Sequence, residues 1–134
     1  MPDPCTYDYA IVRVVPRVER GEFVNVGAIV SSDARGYLAA AFAVDEAKLR
    51  ALDPAIDLAA VHAALAAIGA ICAGGGAAGP IGSLPLRDRF HWLVAPRSTM
   101  IQTSAVHTGR CDDLAATLAR LLDRMVRTID SRHD

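Results

Sequence analysis

Three strand-like segments follow one another at the start of the chain, separated by two short turns, and the first is rich in β-branched and aromatic residues. They are residues 7–15, 23–31 and 37–43. The turns between them carry Gly21 and Gly36, and glycine readily adopts the positive φ angles that tight turns require. Because connections this short join antiparallel neighbours, the pattern predicts a three-stranded meander.

The rest of the chain shows helical periodicity, then a β-like stretch, then helical periodicity again. Helices are predicted over 45–52 and 57–72, where Asp45 and Asp57 stand at the N-cap positions. Three segments follow: a Gly/Pro-rich loop at 73–86, a second hairpin formed by 89–95 and 100–105, and a last helix over 112–129. The order βββααββα favours an α+β fold with an antiparallel sheet, and residues 1–134 are interpreted as one domain.

Charge and cysteine spacing disfavour several classes of protein. The formal net charge is -1, which lacks the basic surplus typical of nucleic-acid-binding proteins. Cys5, Cys72 and Cys111 are widely spaced, and neither they nor the histidines match a disulfide framework or a zinc site. The first residues do not resemble a signal peptide, and no apolar run reaches the ~20 residues that span a bilayer. We therefore expect a cytoplasmic protein without a metal, a cofactor or a membrane partner.

The short first turn suggests a register in which Val15 lies opposite Phe23. In this register Val12 lies opposite Val26, and alanines of the third strand extend the same face. The other face is also largely apolar, so we expect it either to be covered internally or to bind a protein through aromatic anchors. The interface candidates on that face are Tyr9, Ile11, Arg13, Ile29, Leu38 and Phe42.

Two glycine positions have a structural rather than a ligand-binding interpretation. Gly27 lies opposite Phe42 in the predicted register, and an aromatic ring that covers a strand glycine is a known packing arrangement. The run 74–76 consists of three glycines, but the lysine of a phosphate-binding loop does not follow it. We interpret that run as a connection.

Trp92 is the single tryptophan of the chain. Alternate positions along a strand point to the same face, so Trp92 shares a face of the predicted strand 89–95 with Phe90 and Val94. The pattern predicts that Trp92 is buried, and that its truncation to alanine costs ~3–5 kcal/mol.

The predicted second hairpin and the residues after it hold the densest group of polar side chains. The hairpin register places His91 opposite Ser104. A Ser–His dyad needs a third group that orients the histidine, and none is apparent, so we favour a cross-strand hydrogen bond and assign no catalytic residue. Anion binding at the hairpin tip stays open, although Asp112 and Asp113 oppose it. The ligand-binding candidates are Arg97, Ser98, Thr99, His91, Gln102, Ser104 and His107.

The segments F-V-N-V-G at 23–27 and R-F-H-W…A-P-R-S-T at 89–99 resemble the bacterial family called domain of unknown function 3037. By motif order the resemblance extends over residues 7–127. Members of that family have no established activity and resemble companions of HipA-like kinases, beside which they tend to be encoded. The resemblance therefore implies an accessory role in a toxin–antitoxin-like or defence module, with a kinase-like partner and no catalytic residue.

The sequence leaves three functions open. The apolar character of both sheet faces favours the first of them. The first is a non-enzymatic interaction protein, with a HipA-like kinase as the suggested partner and a homo-oligomer as a further option. The second is a small enzyme or an anion- or nucleotide-binding domain that uses the polar segment 91–107. The third is a nucleic-acid-binding regulator, which the charge balance disfavours.

Overall fold

The computed structural model describes residues 4–128, and a five-stranded antiparallel sheet forms its centre. The strands are β1 (Cys5–Val14), β2 (Val24–Ser32), β3 (Tyr37–Phe42), β4 (Ile101–Thr103) and β5 (His107–Cys111). The sheet order is β3-β2-β1-β4, and β5 pairs with β1 beyond β4. The predicted meander is confirmed, and β1 lies in the middle because β4 and β5 share its second side.

The described residues also form five α-helices, which are α1 (Glu46–Leu52), α2 (Leu58–Ala73), α3 (Gly79–Gly82), α4 (Leu86–Val94) and α5 (Leu114–Met125). The predicted caps are confirmed, since the side chains of Asp45 and Asp57 accept bonds from the backbone N–H groups of Lys48 and Ala60. Asp113 caps α5 in the same way. The predicted last helix extended to Ile129, which lies outside the described residues.

Helices cover both faces of the sheet. On one face, residues of α1, α2 and α4 pack against Val12, Val14 and Val26. On the other, α5 packs its apolar side against Ile11, Ala28 and neighbouring residues. The α+β class with an antiparallel sheet is thus confirmed, although the described chain has more helices than the two or three expected. No helix within residues 4–128 is long and apolar enough to cross a membrane.

The predicted register is correct at the turn and wrong beyond it, because β2 contains a β-bulge. Val14 pairs with Val24 and Arg13 with Asn25, but Val12 pairs with Gly27 rather than with Val26. Val26 is therefore an extra residue in β2, and every later residue of that strand faces the opposite side from the one expected.

The segment 89–95 is not a strand, and this is the main correction to the predicted order. It lies in α4, which buries Phe90 and Leu93 on one side. These two positions are three residues apart in the sequence, which is the spacing of a helix face and not of a strand face. Trp92 points away from that side and is 42% exposed, so its predicted burial is wrong. The segment 100–105 contains β4, whose partner is β1 and not residues 89–95.

Two further segments also differ from expectation. The predicted loop 73–86 contains a short 3-10 helix, Gly76–Ala78, followed by α3. Residues 107–109, read from the sequence as a polar stretch, belong to β5. Its pairing with β1 was missed because H-T-G-R-C lacks the β-branched alternation that marked the first strands.

Gly27 lies directly opposite Phe42, as expected from the sequence. A Cβ atom at position 27 would overlap Cδ1 of Phe42 and would lie 2.7 Å from the carbonyl oxygen of Ala41. Because the second contact is with backbone, a side-chain rotation cannot relieve it. The absence of a side chain at Gly27 therefore lets the Phe42 ring lie flat on β2.

We predict that Gly27→Ala destabilises the fold by ~1–3 kcal/mol, since the new methyl group overpacks a closed site. The matched control is Gly69→Ala in α2, where an added Cβ atom meets nothing within 4 Å. Alanine is favoured over glycine inside a helix by ~0.5–1 kcal/mol, so the control variant should be slightly more stable. Urea unfolding followed by circular dichroism measures both changes. Equal effects at the two positions would contradict the packing account.

Candidate functional site

Arg97 fixes the end of α4 and the position of Trp92. Its guanidinium donates from Nη1 to the carbonyl oxygens of Leu93 (2.9 Å) and Ala95 (3.2 Å), and from Nη2 to that of Trp92 (2.6 Å). These are carbonyls that the end of a helix leaves without backbone partners. The same guanidinium stacks over the Trp92 ring, with Cζ 4.4 Å from the ring centroid. The stack holds an indole in a defined orientation while 42% of the residue stays exposed.

A groove opens beside this stack, between α2, the end of α4 and β4. Its volume is about 350 Å³. Twelve residues line it: Ala64, Ala67, Ile68 and Ile71 from α2, Trp92, Leu93 and Arg97 from α4 and its end, and Thr99, Met100, Ile101, Gln102 and Thr103 from β4 and the residues before it. Most of these side chains are apolar, and α2 contributes two alanines whose small size leaves the space open. We refer to this site as the groove.

The polar side chains along the groove are bonded within the protein. Gln102 donates from Nε2 to the carbonyl oxygen of Thr99 (2.9 Å), and the Thr99 hydroxyl donates to that of Ile101 (3.0 Å). The hydroxyl of Thr103 reaches the carbonyl oxygen of Val94 at 3.5 Å. These bonds shape the wall of the groove and leave few polar atoms to orient a ligand.

The structure brings together only part of the predicted ligand-binding set. Arg97, Thr99 and Gln102 lie along the groove, with Ser98 in the exposed connection between the first two. The other three predicted residues lie apart from it: His91 on α4, Ser104 just after β4 and His107 on β5.

His91 and Ser104 are not cross-strand neighbours, because His91 lies on α4. His91 lines a separate cavity of about 210 Å³ with Asp33 and Arg87. Ser104 accepts a hydrogen bond from the backbone N–H of Ile11 (2.9 Å) and donates one to the carbonyl oxygen of Ala105 (2.9 Å). Its hydroxyl therefore ties the end of β4 to β1, and the expected Ser–His hydrogen bond is wrong.

His107 lies on β5 and packs against Tyr9, with 5.4 Å between ring centroids. This contact follows from the pairing of the two residues across β1 and β5. His107 thus pairs with β1 three residues away from the nearest pair of β4, which is Thr103 with Val12.

The six residues predicted as a protein interface do not share one face, because the bulge in β2 separates them. Tyr9 and Ile11 belong to the layer under α5, whereas Ile29, Leu38 and Phe42 belong to the layer under α2. Ile29 is fully buried, and Ile11 is 5% exposed. Arg13 stacks over Phe23 at the end of the sheet, with Cζ 4.1 Å from the ring centroid.

Burial and spacing limit the chemistry of the thiols and metal-ligating side chains that the structure describes. Burial raises the pKa of the Cys72 thiol to about 11, which disfavours the nucleophilic thiolate form. Cys5 lies opposite Cys111 across β1 and β5, and all three cysteines are free. Within residues 4–128, no group of three or more His, Cys, Asp or Glu side chains is arranged to hold a metal ion.

The groove itself was missed from the sequence. It depends on α4, and the segment 89–95 had been interpreted as a strand. One signal in the sequence points to it, which is the spacing of Arg97 five residues after Trp92, immediately beyond Pro96. A basic residue just past a helix end can reach the last carbonyls of that helix.

We predict that Arg97→Ala lowers the free energy of unfolding by ~1–3 kcal/mol, because three carbonyl oxygens lose a charged donor. Arg120→Ala is the matched control, since Arg120 is an exposed arginine of α5 and such substitutions usually change stability by less than ~0.5 kcal/mol. Chemical denaturation of both variants measures the difference. The accessibility of Trp92 to acrylamide should also rise in the Arg97 variant only. An Arg97 variant as stable as the control would refute the capping role.

Comparison with known proteins gives a family and no further relative. A search of curated proteins and a search of solved structures each returned no match. The sequence model of the family described as Protein of unknown function (DUF3037) matches residues 9–126, a span from β1 to the end of α5 that includes the whole groove. The chain belongs to this DUF3037 family.

Proposed function

We propose that the chain is a non-enzymatic interaction protein that binds a protein partner at the groove. The observation that carries this proposal is the exposed Trp92–Arg97 stack at the rim of an apolar groove. Tryptophan and arginine are the residue types most enriched at energetic hot spots of protein interfaces. An indole that is already held in place by Arg97 loses little side-chain entropy on binding, which favours affinity.

The bonding of the polar side chains supports a protein partner over a small polar ligand. Pockets for small molecules combine apolar walls with a few polar groups that fix the orientation of the ligand. Along the groove, the donors of Arg97 and Gln102 and the hydroxyl of Thr99 are engaged with carbonyl oxygens of the chain. A bulky aliphatic or aromatic side chain needs no such groups. The groove therefore suits one anchor side chain of a partner protein, with Trp92 and Arg97 contacting the surface around it.

The same bonding weakens the anion-binding alternative at 91–107. Arg97 is the cation that this alternative relied on, and a phosphate would have to displace it from three carbonyl oxygens. The segment also spreads over α4, β4 and β5 rather than converging on one point.

The partner that we propose is a HipA-like kinase, as the family resemblance suggests. On the chain itself, the feature that such a partner would use is the groove. The complementary feature on the kinase would be an exposed apolar side chain that fills the groove, with a surface around it that covers the exposed Trp92 ring.

We predict that Ala67→Arg weakens binding of the full chain to a HipA-like kinase at least tenfold, or ~1.4 kcal/mol, because the new side chain fills the groove. Ala67 is exposed and lines the groove, so the change leaves the core intact. Ala63→Arg is the matched control, on the same helix, equally exposed and outside the groove. Calorimetric titration measures both affinities, and melting curves check that both variants fold.

Binding should also shift the emission of Trp92 to shorter wavelength, because a partner removes water from the indole. Equal affinities of the two arginine variants would exclude the groove as the binding surface. If the native chain does not bind the kinase at all, the kinase is wrong as the partner.

A further inference from the structure

The two edges of the sheet differ in how they are protected. One edge is divided between two short strands, β4 and β5, and β5 carries Arg110 and Gly109. The other edge is β3, with the sequence Y-L-A-A-A-F, which contains no charged residue, no proline and no glycine. Proteins usually protect an exposed edge strand with charges, prolines or bulges, because unpaired backbone groups invite another strand. β3 has none of these devices.

Burial shows that the outer side of β3 is open. Residues Val26–Ser32 of β2 are all buried, whereas all six residues of β3 are half-buried. β3 ends the strand order, and no strand within residues 4–128 pairs with its outer side.

The direction of the backbone groups along β3 follows from its pairing with β2. The N–H of Ala43 donates to the carbonyl oxygen of Val26 (2.8 Å), so Phe42, one residue earlier, directs its backbone groups away from β2. Direction alternates along a strand. Leu38 and Ala40 therefore also present N–H and C=O groups outward.

We propose that β3 pairs with β3 of a second copy of this chain and joins the two sheets into one. An antiparallel edge is self-complementary when the central residue presents its own backbone groups outward, because it can then exchange two hydrogen bonds with its copy. Ala40 meets this condition. With Ala40 opposite Ala40 of the second copy, Leu38 lies opposite Phe42 of that copy. Residues that lie directly opposite each other in an antiparallel pair point to the same face of the sheet. The α2 helices of both copies therefore lie on the same side of the joined sheet.

The helix above the edge fits the same arrangement. α2 packs on β3, and its exposed residues are mostly alanines. Ala66 and Gly69 lie about 160° around the helix from the groove residues Ala64 and Ala67, at roughly 100° per residue. They are therefore on the flank that faces outward past β3. His62 lies on the same flank, with its ring bonded to Glu46 of α1 (2.8 Å), so only the later turns of α2, at Ala66 and Gly69, present small residues to a second α2.

Strand pairing with a copy is thus favoured by the open edge and by the direction of its backbone groups, and these reasons do not depend on the groove or on its partner.

The native mass of the full chain tests the proposal, and light scattering during gel filtration should give twice the mass of one chain. Ala40→Pro should give a monomer, because proline removes an outward N–H without removing a bond to β2. Ala63→Arg should remain a dimer, since Ala63 lies on the solvent side of α2. Ala67→Arg should also remain a dimer, so loss of partner binding and loss of dimerisation are distinguishable.

A cross-link tests the register independently of the proline variant. Residues opposite each other in a hydrogen-bonded antiparallel pair have Cα atoms ~5.5 Å apart, within the range that a disulfide spans. In a Cys111→Ser background, Ala40→Cys should form a disulfide-linked dimer when an oxidant is added, and Ala63→Cys should not. A native mass of one chain would overturn the proposal. So would a dimer that survives Ala40→Pro, or one that fails to cross-link at position 40.

Discussion

The extra residue Val26 in β2 is the constraint on which the two layers of the protein depend. It places Val26 and Ile29 on the same face as Val12, although their spacing in a regular strand would put them on opposite faces. Ala28 and Val30 then meet α5 on the other face. Without the bulge, Ala28 and Val30 would exchange faces with Gly27 and Ile29, and the side chains of β2 would no longer match the helix layers. Gly27 follows the bulge directly and lets the Phe42 ring close the space beside it.

Much of the fold follows from the sequence, and the failures have identifiable causes. The meander was predictable from its strand-like segments and short turns. The helices α1, α2 and α5 were predictable because their hydrophobic periodicity and their N-cap residues indicate the same structure. Segment 89–95 fits two patterns, since Phe90, Trp92 and Val94 alternate as in a strand, whereas Phe90 and Leu93 have helix spacing. The segment is helical because Phe90 and Leu93 then pack into the layer above the sheet. Such a tertiary contact cannot be read from the local sequence pattern. From the sequence, Arg97 was a candidate for ligand binding; its bonds to the carbonyl oxygens at the end of α4 depend on that helix and were not predicted.

The helix α2 separates two surfaces with different properties. One flank forms a wall of the groove, where Ala64 and Ala67 leave room for a large side chain. The other flank rises above the unprotected strand β3 and carries His62, Ala66 and Gly69. Because the surfaces are on opposite sides of one helix, both can be occupied at the same time.

The position of β1 at the centre of the sheet has a consequence for synthesis of the chain. β1 is made first, but β4, β5 and α5 come from residues 101–125. Until those residues leave the ribosome, Ile11 and Ala28 lack their cover, and one side of β1 lacks its hydrogen-bond partners. The meander therefore exposes an apolar face to water until α5 has been synthesised. A nascent chain that stalls before α5 keeps this face exposed, and such a surface is what chaperones bind.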